Sequence, residues 1–259
     1  MSGSSATPVV DLVGTSMSAL VHAIPSIVER TKREVVLIGG LAVMCRLNQP
    51  YRVTTDLDTV NRRGDSEPPQ LELLLASGAE PSGISGALVH TPAGDVQVDV
   101  LEVTDADLNA LPNDPTDRLH VLAHAWAASS ASLMIIRAND MPDLEVAVAE
   151  PGPLIAMKLQ SIMNRGATKE GTDLLDIIRL SLDAGCGPRA RTQLDAADVQ
   201  LRNDAALHAR RWFDEYAGRS SRLVRAVPEG RDTQLDDLHL VGELLESALH
   251  VVAPNEGSD

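Results

Sequence analysis

The stretch from Val35 to Asp58, VVLIGGLAVMCRLNQPYRVTTDLD, ends in two aspartates separated by one residue. Residues two apart on a strand share a face and lie about 6–7 Å apart, so Asp56 and Asp58 can turn their carboxylates toward shared metal ions. In RVTTDLDTV, Val53, Thr55 and Leu57 alternate with Arg52, Thr54, Asp56 and Asp58, the pattern of a strand with one polar face. The same alternation suits an edge strand with a solvated acidic face, the usual surroundings of an aspartate. A third carboxylate stands in GDVQVDVLEV, where Val96, Val98 and Val100 alternate with Asp95, Gln97 and Asp99. If the two strands are neighbours, Asp99 completes a cluster of three carboxylates whose mutual repulsion divalent cations relieve. Asp95 follows the turn-forming Thr91-Pro92-Ala93-Gly94 and reads as a solvated turn residue.

The elements needed to position these groups begin with VVLI, Val35 to Ile38, four β-favouring apolar residues suited to a buried strand. Gly39 and Gly40 let the chain turn tightly and expose N–H groups where a helix beginning near Leu41 adds its positive end, an arrangement that suits a phosphate. Paired glycines after a strand are also an ordinary strand-to-helix connection. Farther on, Leu154, Ile155, Leu159, Ile162 and Met163 recur at helical spacing behind Pro151 and Pro153. Lys158 is flanked by that apolar surface, so it snorkels to the edge, points into a cleft, or is simply solvated. Gly171 and Thr172 read as a loop and N-cap, which puts Asp173 in a helix's first turn, where any helix favours a carboxylate. Asp176, one turn on, is a candidate partner for Arg179 or a cap on a core face.

Taken in order, Gly39-Gly40, Arg52-x-Thr54-x-Asp56-x-Asp58, the strand residue Asp99, Lys158-Leu159 and Asp173 resemble the minimal nucleotidyltransferase fold of the polymerase-beta-like superfamily. More narrowly, the set is similar to the AbiEii/MenT toxins of type IV toxin–antitoxin systems. The resemblance covers roughly residues 35 to 180, and this chain has Thr172 where the family pattern places an arginine before the later Asp. It implies a mixed α/β (α+β) sheet with flanking helices, followed by a mainly helical C-terminal part. It also implies transfer of a nucleoside monophosphate from an NTP to an acceptor hydroxyl, with pyrophosphate leaving. By that resemblance Asp56, Asp58, Lys158 and Asp173 are catalytic, and Gly39, Gly40, Thr54 and Lys158 bind the nucleotide. Asp56, Asp58 and Asp99 then hold Mg2+ or Mn2+. Family membership implies a toxin whose acceptor is the tRNA 3′ end and whose partner is a cognate antitoxin.

The organisation expected from pattern is a catalytic part over residues 1–150 and a helical part over 151–259, divided near Glu150-Pro151-Gly152-Pro153. Before the boundary come a helix ending near Arg33, the glycine turn and Asp-x-Asp strand, a helix from about Pro69 to Ser77, and strands around Leu88 and Val98. A helix from Asp117 to Ser129 and strands near Leu133 and Val146 follow. The last helix runs from about Asp236 to Val251 and ends near Pro254. No apolar run approaches the length of a membrane span, and MSGSSATP lacks the basic and apolar regions of a secretory signal, so a short disordered lead and a cytoplasmic protein are expected. The two cysteines, Cys45 and Cys186, are far apart and without ligand spacing, which argues for reduced thiols and against a zinc site. His120 and His124 share a helical face, without the acidic or thiol neighbours of a metal pair.

A formal net charge of -15 works against non-specific adhesion to nucleic acid. Between residues 189 and 231, however, nine arginines meet six acids, a local balance of 9 minus 6, or +3. That segment suits either an RNA-facing surface or an ordinary salt-bridged helical face. Arg62 and Arg63, just after the Asp-x-Asp strand, are candidates for a triphosphate or an acceptor phosphate. Two rival readings stand beside tRNA transfer. One is nucleotidyl transfer to an aminoglycoside-like cation or to a protein hydroxyl, which the acidic surface favours. The other is an inactive nucleotide-binding or regulatory module, to which Thr172 points and the intact carboxylates do not.

Overall fold

The computed structural model describes residues 7–164 and 166–250. Two compact units divide the chain: one runs to Leu111 and resumes over Val121–Leu154, and the other comprises Pro112–His120 and the chain from Ile155 onward.

The first unit is built on a mixed eight-stranded sheet. Its strands are β1 (Val9–Leu12), β2 (Val36–Leu37), β3 (Asp56–Arg63), β4 (Glu80–Ser82), β5 (Gly86–Thr91), β6 (Gly94–Thr104), β7 (Ser132–Ala138) and β8 (Leu144–Val148), in the order β1-β7-β8-β2-β3-β6-β5-β4. Strand β3 runs parallel to β6, with Asp56 opposite Gln97 and Asp58 opposite Asp99. Strands β5 and β6 form an antiparallel hairpin closed between Thr91 and Gly94; Asp95 is exposed but lies in β6 rather than in the turn, opposite His90, whose Nδ1 is 2.6 Å from its carboxylate. Period-two alternation sorts the faces: Val96, Val98 and Val100 of β6 are buried, while Gln97 and Asp99 between them are half-buried. Helices α1 (Thr15–Thr31) and α2 (Gly39–Arg46) supply apolar cover, α1 packing on β5 and β6 and α2 on β3. At the end of α2, Arg46 donates to the Ala149 carbonyl at 2.8 Å, to the Val148 carbonyl and to Ser132 Oγ at 3.0 Å, and pairs with Glu150 at 3.3 Å. That buried clamp fixes α2 to the end of β8. Short helices α3 (Gln70–Ala76) and α4 (Asp105–Asn109) follow β3 and β6.

Helices α5 (Pro115–Ser130) and α6 (Pro151–Ser161) each pass from one unit to the other along their length. The second unit continues as α7 (Ala167–Leu182), α8 (Gly187–Asp195), α9 (Val199–Arg210), α10 (Ala217–Ala226) and α11 (Leu235–Leu249). Helix α10 lies close on α7 because Gly171 has no side chain; a Cβ there would stand 2.5 Å from the Leu223 carbonyl oxygen. Within this unit Arg118 forms a two-pronged pair with Asp204, at 2.8 and 2.7 Å. A single π turn, Arg211–Glu215, follows α9 and buries Trp212 and Phe213.

Several boundaries differ from those read in the sequence. The glycine-led helix starts at Gly39 rather than near Leu41. Regular strand begins only at Asp56, and Val53 is 58% exposed rather than on an apolar face. Helix α7 begins at Ala167, so Gly171 and Thr172 are helical and Asp173 lies past the first turn. Strands β1 and β4 were not anticipated, being short and lying at the two sheet edges. Most of the expected N-terminal lead and the expected helix end near Pro254 fall outside the described residues. No helix among the described residues is long and apolar enough to cross a membrane.

Candidate metal and nucleotide site

The side chains of Asp56, Asp58 and Asp99 converge because the parallel register of β3 and β6 sets Asp58 beside Asp99 with Asp56 one pleat away on the same face. Each offers a carboxylate oxygen, these oxygens lie within 4.8 Å of one another, and all three residues are half-buried. Neighbouring strands place the three formal negative charges closer than like charges settle in water, and a hard divalent cation with oxygen preference fits such a donor set.

The surrounding residues hold these carboxylates in place. Thr54, buried, donates its hydroxyl to Asp56 Oδ1 at 2.9 Å. The backbone carbonyl of Asp58 accepts the Ile38 N–H at 3.0 Å, which ties the Asp-x-Asp strand to the residue before the glycines. Gly39 has φ +64, and a Cβ on it would stand 1.8 Å from Asp58 Oδ2. The missing side chain therefore makes room for the Asp58 carboxylate at the positive end of α2, a purpose its sequence neighbours do not disclose. A Cβ on Gly40 would stand 2.8 Å from both Arg52 Nη2 and Thr54 Oγ1, so the Arg52 guanidinium and the threonine lie directly over this glycine. Arginine, threonine, both glycines and the three aspartates thus form one cluster within the first unit.

Lys158 and Asp173 come together in the second unit. Lys158 Nζ lies 2.7 Å from Asp173 Oδ1 and 2.6 Å from Asp176 Oδ2. Ser161 Oγ donates to Asp173 Oδ2 at 3.0 Å. All three charged residues are buried, Asp176 completely. The i, i+3 spacing on α7 turns both aspartates to one side, where both meet the lysine. Arg179 donates to the Glu229 carbonyl at 3.3 Å.

The other basic candidates are engaged elsewhere. Arg63 pairs with Glu102 at 3.0 Å and Arg62 with Asp105 at 3.6 Å. Four and five residues beyond Asp58 on β3, they stand about 13–17 Å along the strand from it. In the arginine-rich segment, Arg219 pairs with Glu170 at 2.6 Å and Arg210 with Glu215 at 3.5 Å. Arg211 and Arg219 also lie 5.6 and 5.7 Å from the Trp212 ring centroid.

No family model matches the chain, and no curated protein matches it in sequence. Among solved structures it is similar to an antigenic nucleotidyltransferase-like protein from Paracoccidioides brasiliensis, 20% identical, over 76% of this chain and 93% of that one, with a TM-score of 0.41. The class that fold and site define is an α/β protein whose mixed sheet carries a carboxylate triad able to hold metal.

Proposed function

We propose that the chain is a metal-dependent nucleotidyltransferase, moving a nucleoside monophosphate from an NTP to an acceptor hydroxyl with release of pyrophosphate. The observation that carries this reading is the meeting of Asp56, Asp58 and Asp99 on adjacent parallel strands, their oxygens within 4.8 Å. Mg2+ or Mn2+ held there would lower the pKa of the acceptor hydroxyl and offset the charge of the triphosphate. Thr54 keeps the Asp56 carboxylate turned toward the cluster. Gly39 gives the Asp58 carboxylate its place, and Gly40 lets the Arg52 guanidinium and the Thr54 hydroxyl lie close on the start of α2, a guanidinium being suited to meet a phosphate oxygen. Asp173 and Asp176 set the position of the Lys158 ammonium. The assignment of Lys158 to the nucleotide rests on the order of motifs in the sequence.

For the acceptor we propose the tRNA 3′ end, in a toxin controlled by a cognate antitoxin, a reading supported by the same motif order. A second reading is favoured by the net charge of -15, which draws a small polycation such as an aminoglycoside more readily than RNA. Asp56→Ala and Asp58→Ala are expected to abolish transfer while leaving the circular dichroism spectrum and melting profile of a folded chain. Transfer at the wild-type rate in either variant would sink the assignment.

A further inference from the structure

Gln97 stands beside Asp99 on β6 and directly opposite Asp56 on β3. Its amide nitrogen donates to Asp99 Oδ1 at 3.3 Å, and its amide oxygen accepts from Ser82 Oγ at 3.2 Å. We propose that Gln97 is a positioning residue for the third carboxylate: Ser82 and Gln97 form a relay that aims Asp99 at the cation. The proposal rests on the metal-site reading given above.

The relay fixes its own direction. With the Ser82 hydroxyl donating to Oε1, the NH2 group is turned to Asp99; the reversed amide would set its oxygen against the carboxylate. Gly86 leaves the space for this arrangement. It lies between Ser82 and Asp99 in the row of paired residues across β4, β5 and β6, and a Cβ on it would stand 2.4 Å from Asp99 Oδ1. Asp99 Oδ1 therefore lies over Gly86, held there by the amide, which fixes the orientation of the carboxylate as a whole.

The residue type follows from charge. A carboxylate at position 97 would add a fourth negative group, opposite Asp56 and beside Asp99. A lysine there would neutralise Asp99 and compete with the metal. A neutral amide donates to the carboxylate without doing either. In the sequence Gln97 shows only as the polar spacer between two aspartates.

The test is Mn2+ titration of the full chain, read from the electron paramagnetic resonance signal of free Mn2+, with a melting curve for each variant. Removing a partner that orients a metal ligand costs about 10–100-fold in affinity. Gln97→Leu is expected to weaken Mn2+ binding about tenfold or more. Ser82→Ala, which loosens the amide from its outer end, is expected to weaken it by a smaller factor at an unchanged melting temperature. If the Gln97→Leu chain does not fold, Ser82→Ala decides alone. Wild-type affinity in the folded variants, with only the melting temperature altered, shows a structural role and overturns the relay while the metal site stands. A wild-type chain that takes up no Mn2+ overturns the metal reading and the relay with it.

Discussion

Replacing Gly39 by alanine would place a methyl group where the Asp58 carboxylate lies. The added Cβ would stand 1.8 Å from Oδ2, 2.5 Å from Cγ and 2.7 Å from Cβ of Asp58. Nonbonded carbon atoms settle at about 3.5–4.0 Å, so the carboxylate must retreat by about 1–2 Å. Mg2+ binds oxygen at about 2.0–2.1 Å with little tolerance, and a retreat of that size takes Oδ2 out of its reach. A separate cost comes from the backbone, since φ at Gly39 is +64. A residue with a Cβ in the left-handed region costs about 1–2 kcal/mol, or about 2–8 °C in melting temperature for a chain of this size. Gly78 separates the two effects: its φ is +94 and a Cβ there meets nothing within 4 Å. Both Gly39→Ala and Gly78→Ala should therefore melt a few degrees early, but only Gly39→Ala should lose Mn2+ affinity, by about tenfold or more, and metal-dependent transfer with it. The assay is Mn2+ titration and nucleotidyl transfer on all three chains. Wild-type Mn2+ affinity in Gly39→Ala would refute the assignment of Asp58, in the position seen here, as a metal ligand.

Lys158→Met removes the cation from two buried carboxylates that now lie 2.7 and 2.6 Å from the ammonium. Urea unfolding should show a loss of about 3–5 kcal/mol, and a loss below about 1 kcal/mol contradicts the pairing. Burial, and after it the neighbouring Arg211, holds His208 below the ordinary histidine value. The unfolded chain then takes up the proton more readily than the folded one, so this stability is whole above about pH 6.5 and is lost as pH falls toward the folded value. Urea midpoints should fall between about pH 7.5 and 5.5, less steeply in His208→Gln; equal slopes count against it. Burial pushes the Cys45 thiol up to about 12, and Cys186 is buried as well. The native chain at about pH 8 should react with a thiol-specific disulfide reagent at neither cysteine, and at both once unfolded; fast native labelling contradicts this.

The carboxylate site was legible because strand alternation is a local signal. Asp56, Asp58 and Asp99 each stand on a polar face, and only the register that pairs Asp58 with Asp99 had to come from the fold. The glycines were legible as a turn before a helix, but their closeness to Asp58, Arg52 and Thr54 was not, since it depends on how α2 meets β3. Asp173 was misplaced because Gly171 reads as a breaker, whereas packing of α10 on α7 holds that glycine inside a helix. For Asp176 the sequence offered Arg179 or a core face as neighbours, and its pairing with Lys158, eighteen residues away and on another helix, had to come from the fold. Strands β1 and β4 are too short to stand out from loops by periodicity and exist through pairing with their neighbours.

The central claim is tested most directly by incubating the chain with Mg2+, each α-labelled nucleoside triphosphate in turn and total tRNA, beside an Asp56→Ala control. The account predicts label transferred to an acceptor by the wild-type chain and by none of the control reactions. Equal labelling with Asp56→Ala, or no transfer to tRNA, to aminoglycosides or to protein by a chain that binds Mn2+, contradicts it.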